Sequence, residues 1–159
     1  MRDLMKLGVI SDTHGLFDQA IPSIFEGVDA IIHAGDIGRI EVIKLLEQIA
    51  PVFPVEGNND SFGVYPEERI ENWDGFLILI RHIFGERHQL RNAERERIEN
   101  LRPDLVVFGH SHRPYNEMLG ETMLFNPGSA GPRRFSLPRT VGLLSLRRNG
   151  AQGQIIRLD

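Results

Sequence analysis

Five short apolar runs in this chain each end on a polar cluster, and that recurrence limits the fold more than any other feature. Residues 4–10 run into Ser11-Asp12-Thr13-His14, and residues 29–33 into Gly35-Asp36. Residues 51–55 run into Gly57-Asn58-Asn59-Asp60, residues 76–81 into His82, and residues 105–108 into Gly109-His110-Ser111-His112. Unbroken apolar runs of this length suit strands covered on both faces, as in a parallel sheet packed between layers. Polar residues gathered at the C-terminal ends of such strands mark the edge where open α/β sheets bind ligands. The five clusters are therefore expected on one sheet edge.

The segments between the runs support this reading. Residues 17–26 read as a helix, with Asp18 near the start and Gly27 past the end. Residues 39–49 carry Ile40, Ile43, Leu46 and Ile49 at helical spacing, with Pro51 as the stop. The resulting βαβαβ order predicts a parallel sheet with right-handed crossovers. The second half reads as hairpins over 68–74 and 76–81, 115–119 and 122–125, and 141–146 and 154–158. Asn149-Gly150 is a strong turn signal for the last of these. Residues 92–101 form a charged helix stopped before Pro103. The fold class expected is α/β: two facing β-sheets flanked by helices, an αββα four-layer sandwich, with residues 1–159 as a single domain.

Composition narrows what the edge can do. The chain is long enough to bury a core without staples, and 41% hydrophobic with 25% charged residues is ordinary for a soluble domain. A net charge of −4 lacks the basic footprint of a nucleic-acid binder, so no nucleic-acid partner is expected. There are no cysteines, which excludes disulfides, thiolate zinc sites and cysteine nucleophiles. Met1 to Lys6 is not followed by a signal-peptide pattern, and no stretch has transmembrane length. The expectation is a cytoplasmic protein with no membrane partner.

The residue types at the edge point to metal. Imidazole nitrogen together with carboxylate and amide oxygen suits borderline divalent ions such as Mn²⁺, Fe²⁺ or Zn²⁺. Asp12-x-His14 and His110-x-His112 place alternate residues on one side of an extended segment. Asp12, His14, Asp36, Asn58, His82, His110 and His112 are more ligands than one tetrahedral ion needs. They fit two ions if one carboxylate bridges. A pair of ions roughly 3.5–4 Å apart clamps an in-line displacement at phosphorus. Glycines at 35, 57 and 109 allow close approach of backbone to such a site.

In order, D-x-H, G-D, G-N-x-D, a lone strand-end His and G-H-x-H span residues 12–112. This order resembles the calcineurin-like metallophosphoesterase superfamily. Asn126-Pro127-Gly128-Ser129 followed by Pro132-Arg133 resembles its compact bacterial and archaeal phosphodiesterase branch. The resemblance implies that Asp12, His14 and His112 hold a first metal and that Asn58, His82 and His110 hold a second, with Asp36 bridging. It implies two divalent metal ions as cofactors, manganese foremost, with Fe, Zn, Ni or Co as alternatives. It also implies a small-molecule phosphate ester as substrate, attacked by a hydroxide that the ions share. Two departures stand out. Relatives commonly carry His after the ligand Asn, as donor to the leaving oxygen, where this chain has Asn59. Asn59 is thus the candidate catalytic residue, but an amide is no general acid near neutral pH. Activated aryl diesters are therefore expected as better substrates than alkyl monoesters. After His82, Ile83-Phe84-Gly85 replaces the His-Gly-His or His-Gly-Asp of relatives.

Plainer roles fit the remaining residues. His33, inside an apolar strand, reads as a satisfied core histidine, and His88 as a surface one. Asn126 to Ser129 reads as a turn shaping the floor of the site. Arg113, Arg133 and Arg134 are candidates to bind phosphate, and residues 87–102 read as a solvated helix. The rival from another class is a non-catalytic scaffold, similar to the retromer subunit that shares this fold. An exposed apolar patch would be its sign. A nuclease fits the acidic charge poorly. The sequence leaves the oligomeric state open.

Overall fold

The computed structural model describes residues 5–159. Its first half comprises β1 (Met5–Ile10), α1 (Ile21–Ile24), β2 (Ala30–His33), α2 (Ile40–Glu47) and β3 (Val52–Pro54). Then follow β4 (Glu68–Trp73), β5 (Phe76–Arg81), α3 (Asn92–Leu101), β6 (Leu105–Val107), β7 (Tyr115–Leu119), β8 (Thr122–Asn126), β9 (Thr140–Arg147) and β10 (Gly150–Arg157). The expected start of the first strand at Leu4 lies outside the described residues.

The strands form two five-stranded mixed sheets, ordered β10-β9-β1-β2-β3 and β4-β5-β6-β8-β7. In the first, β1, β2 and β3 are parallel, with Leu7 opposite Ala30 and Ile31 opposite Val52. The hairpin β9–β10 adds antiparallel on the other side of β1. In the second, β5, β6 and β8 are parallel and the hairpin partners β4 and β7 close its edges. The expected sandwich is present. The expectation that all five polar clusters share one sheet edge is not met. β1, β2 and β3 bring three clusters from one sheet, and β5 and β6 bring two from the other. Apolar runs alone do not assign a strand to a sheet, because each sheet buries both of its faces.

Burial shows why the runs are continuous. Leu7, Val9, Ala30 and Ile32 of one sheet meet Ile78, Ile80, Leu105, Val107 and Phe125 of the other in a shared core. The alternate residues face outward but are covered too. Ile10 and Ile31 pack with Ile21, Phe25, Ile43 and Leu46 from the α1 and α2 side. Leu79 and Val106 pack with Phe84, Leu90 and Phe108, joined by Ile98 and Leu101 of α3.

Two helical expectations change. Helix 17–26 shrinks to the four residues of α1. Pro22 has no N–H to bond back to Asp18 and is tolerated only in a first helical turn, so the helix starts at Ile21 and does not run through from upstream. Upstream, the Asp18 carboxylate instead accepts the Ala20 N–H at 2.8 Å and Arg139 at 2.8 Å. α3 has the expected span, ending on Arg102 in the left-handed region ahead of Pro103. It is not wholly solvated, because Glu94 is fully buried and paired with Arg91. Among the described residues, no helix is long and apolar enough to cross a membrane.

Candidate metal centre

The two sheets bring their C-terminal strand ends together, and the sequence-predicted ligands meet there. Asp12, Asp36, His82 and His112 are buried, His14 is partly exposed, and Asn58 and His110 are exposed. Donor atoms of Asp12, His14 and His112 lie within 4.8 Å of one another, and so do those of Asp12, Asp36 and His82. The Asp12 Oδ1 atom is 3.3 Å from His112 Nε2, 3.8 Å from His82 Nε2 and 4.0 Å from His14 Nε2. Asp36 Oδ2 stands 3.3 Å from His82 Nε2 and 3.8 Å from His14 Nε2. Asp12 is the member the two groups share, while Asp36, in the second group, also reaches His14 of the first. The His110 ring packs edge-on against His82 at 5.4 Å between centroids. Asn58 and His82 line a cleft of about 180 Å³ together with Arg81 and Ile83.

The local backbone is bent to make this possible. Asp12, His14, Asp36, His110 and His112 all have positive φ, between 45° and 75°. Each such non-glycine residue costs about 1–2 kcal/mol, and strain of this kind concentrates at functional sites. Close approach adds a second constraint. A Cβ at Gly57 would strike Asp36 Oδ1, and one at Gly109 would strike Ser11 Oγ and Asp12 Oδ2.

Hydrogen bonds then fix the ligand orientations. Asp12 Oδ2 accepts the Ser11 hydroxyl at 2.7 Å and the His110 N–H at 3.1 Å, which leaves Oδ1 facing the histidines. His82 Nδ1 donates to the Ala34 carbonyl at 2.7 Å, so Nε2 is the nitrogen turned to the carboxylates. The Asp60 carboxylate accepts the N–H groups of Ile37, Gly38 and Gly57, tying the Asp36 loop to the Asn58 loop. Asn126 Nδ2 donates to Gly109 O and Ser111 Oγ, and Ser129 Oγ donates to Asp12 O, so the turn braces the site floor as expected. Sequence reasoning missed the parts played by Ser11 and Asp60. Their place beside Asp12 and Asn58 in the sequence was the only signal.

His33 lies within this frame and is fully paired. Its Nδ1 accepts the Gly35 N–H at 3.1 Å, so Nε2 carries the proton and donates to Thr13 Oγ1 at 3.0 Å. The core reading of His33 agrees with this geometry. Asn59 is exposed, and its backbone and side-chain N–H groups both donate to Asp36, at 3.0 and 2.8 Å.

The electrostatics favour anionic carboxylates. Burial pushes Asp12 up, but His112, His82 and Ser11 together outweigh it and hold Asp12 below its usual value. Burial likewise opposes ionisation of Asp36, yet His82 and the Asn59 donors hold it far below the carboxylate range. Burial disfavours charge on His82, but Asp36 and Asp12 reverse the sign and raise it. Burial lowers His14 despite both carboxylates, and Arg134 adds to the lowering.

Comparison with known proteins adds one decisive finding: residues 5–149 match the model of the calcineurin-like phosphoesterase superfamily domain. The chain belongs to the calcineurin-like phosphoesterase superfamily. It is 33% identical to a probable metallophosphoesterase of Methanothermobacter thermautotrophicus over 96% of this chain and 92% of that one. It is 27% identical to a phosphodiesterase of Methanocaldococcus jannaschii, over 88% and 92% of the two chains. In fold it is similar to Vps29 of Entamoeba histolytica (TM-score 0.76, 20% identity), covering 98% of this chain and all of that one.

Calcineurin-like phosphoesterases use divalent metals, and the donors of this chain fit them. Asp12 Oδ1, His14 Nε2 and His82 Nε2 are buried and lack a hydrogen-bond partner. Buried polar atoms without partners each cost about 1–3 kcal/mol, and a cation at their meeting point removes that cost. Three of them converge on one small volume, which is the donor chemistry a metal needs.

Proposed function

We propose that this chain hydrolyses phosphodiesters at a centre of two divalent ions, manganese foremost, acting as one domain on a small-molecule phosphate ester. In this reading Asp12, His14 and His112 hold the first ion, Asn58, His82 and His110 hold the second, and Asp36 bridges. The convergence of unpartnered buried donors on Asp12 Oδ1 supports metal at this point. Asp36 Oδ2, 3.8 Å from His14 Nε2 and 3.3 Å from His82 Nε2, supports Asp36 as the carboxylate between them. Superfamily membership supports it.

When bound, the ions supply a water of lowered pKa and positive charge opposite the developing phosphoryl oxygens. The chain supplies the rest. Ser11, Ala34 and Asp60 fix the ligands before substrate arrives, so little reorganisation remains in the transition state. Asn59 holds Asp36 through its amide and offers no proton to a leaving alcohol. Missing general acid catalysis typically costs about 10²–10⁴-fold, and it costs least when the leaving group is a good one. Diesters of acidic alcohols are therefore the favoured substrates. The scaffold alternative lacks comparable support, because it leaves the unpartnered donors and the bent ligand backbone without a purpose.

The test is turnover of an aryl phosphodiester and an aryl phosphomonoester, with and without added Mn²⁺. Mn²⁺-dependent diester hydrolysis is expected, with the monoester slower. Asp36→Asn should lose about 10²-fold or more by removing a charge between the ions. Asn59→His should raise turnover most on diesters with poor leaving groups. Inactivity in every divalent metal, by protein that still binds two ions, would favour the scaffold.

A further inference from the structure

The sequence offers Arg113, Arg133 and Arg134 for phosphate; the structure engages Arg133, and the nearby Arg139, elsewhere. Arg133 pairs with Asp159. Arg139 spreads its guanidinium over Gly131 O, Ala130 O and Asp18 at 2.7–3.0 Å. The Arg134 side chain is exposed and makes no ion pair or hydrogen bond among the described residues. Its guanidinium lies within electrostatic reach of His14.

The segment that bears it is anchored to the metal centre. Ala130 N–H donates to Ser11 O at 3.0 Å, and Ser129 Oγ bridges Asp12 O and Gly131 N–H. A Cβ at Gly131 would strike Asp12 O, so residues 129–131 pack directly on the loop that bears Asp12. Leu137 N–H then closes a turn onto Arg134 O at 3.1 Å. Within that turn Phe135 has φ +54° and is 92% exposed, against 64% for Val64, the next most exposed of the large apolar side chains. A bulky residue held in the left-handed region, with its ring in water, is disfavoured on both counts. Arg134 and Phe135 are thus consecutive, exposed residues on a segment braced to the Asp12 loop. Guanidinium matches phosphate oxygens, and the ring offers a stacking face.

We propose that Arg134 and Phe135 form a substrate-recognition arm, with Arg134 on a non-bridging phosphate oxygen and Phe135 stacked on a planar ring of an aryl or nucleoside ester. This rests on the proposed function and names its substrate class. Arg134 and Phe135 are specificity residues here, while the bond-breaking machinery stays with the metal centre.

Calorimetric titration of the Mn²⁺-loaded full chain with phenylphosphonate and methylphosphonate tests it without turnover. The phenyl compound is expected to bind about tenfold tighter, the range of one stacking contact. Phe135→Ala should abolish that preference, and Phe135→Tyr should keep it. Arg134→Ala should weaken both compounds by about tenfold, with Arg134→Lys between. In turnover, Phe135→Ala should raise KM for an aryl diester and leave kcat in place. Equal affinity of the wild type for the two phosphonates, binding of neither, or an unchanged preference in Phe135→Ala overturns the arm. An unchanged KM in an active Phe135→Ala protein overturns the arm alone. Selective phosphonate binding by a protein inert in every metal overturns the hydrolase reading instead.

Discussion

His33 shows how one buried side chain couples the site to pH. It is fully buried, donates to Thr13 and accepts from Gly35, and burial lowers its pKa to about 4. The unfolded chain titrates His33 near 6.5, so between pH 6.5 and 4 the unfolded state binds more protons. Stability is complete above about pH 6.5 and falls as pH drops through that window, by about 3 kcal/mol from this residue. Urea unfolding of metal-free protein across pH 4–7 should show this slope, and His33→Gln should flatten it. A glutamine can still accept from Gly35 and donate to Thr13. The role of His33 was legible because it sits between Ile32 and Ala34 in an apolar run. The meeting of Asp12, His14, Asp36, His82 and His112 was legible because their types recur at strand ends. The five left-handed ligand residues were not legible, since none is a glycine and nothing in a sequence marks strain. Nor was the occupation of the Asn59 amide by Asp36, which depends on two loops meeting in space.

Loops, more than strands, set the geometry of the centre. Asp60 accepts three backbone N–H groups from two different loops, so it joins the segment bearing Asp36 to the one bearing Asn58 and Asn59. Asp60→Ala leaves those donors to water or to nothing and should cost about 2–3 kcal/mol. It should also weaken Mn²⁺ binding, read by calorimetry, because both loops gain freedom. Asp60→Asn keeps one acceptor oxygen and should fall between. Strand boundaries matched the sequence reading closely where an apolar run has sharp ends. β10, expected over 154–158, instead begins at Gly150, because its polar first half pairs with β9 through the backbone. The first helix did not match either, because Pro22 and Asp18 act through backbone geometry that an apolar periodicity ignores. The burial of Glu94 was likewise invisible in a charged run, since its pairing with Arg91 has no compositional sign.

The candidate metal centre also joins the two sheets. Asp12, His14 and Asp36 follow strands of one sheet, whereas His82 and His112 follow strands of the other. The sequence showed all five clusters but not this division, because the central strands of both sheets are apolar runs covered on both faces. The division has a thermodynamic consequence. An ion that binds only the folded chain ties the sheets together, and at 100 times its Kd it adds about 2.7 kcal/mol. For a domain of this size that is about 5–11 °C in Tm. Thermal unfolding with Mn²⁺ against EDTA should show a shift of that order. Asp12→Asn should remove most of it, because Asp12 is common to both ligand groups. In EDTA the same variant should unfold near the wild-type temperature, which separates lost metal from lost fold. The shift should shrink as pH falls. Asp36 and Asp12 raise His82 despite its burial, so below that raised pKa an ion must displace a proton from His82 before it binds. A metal-dependent shift equal at pH 5.5 and 7.5 would count against His82 as a ligand.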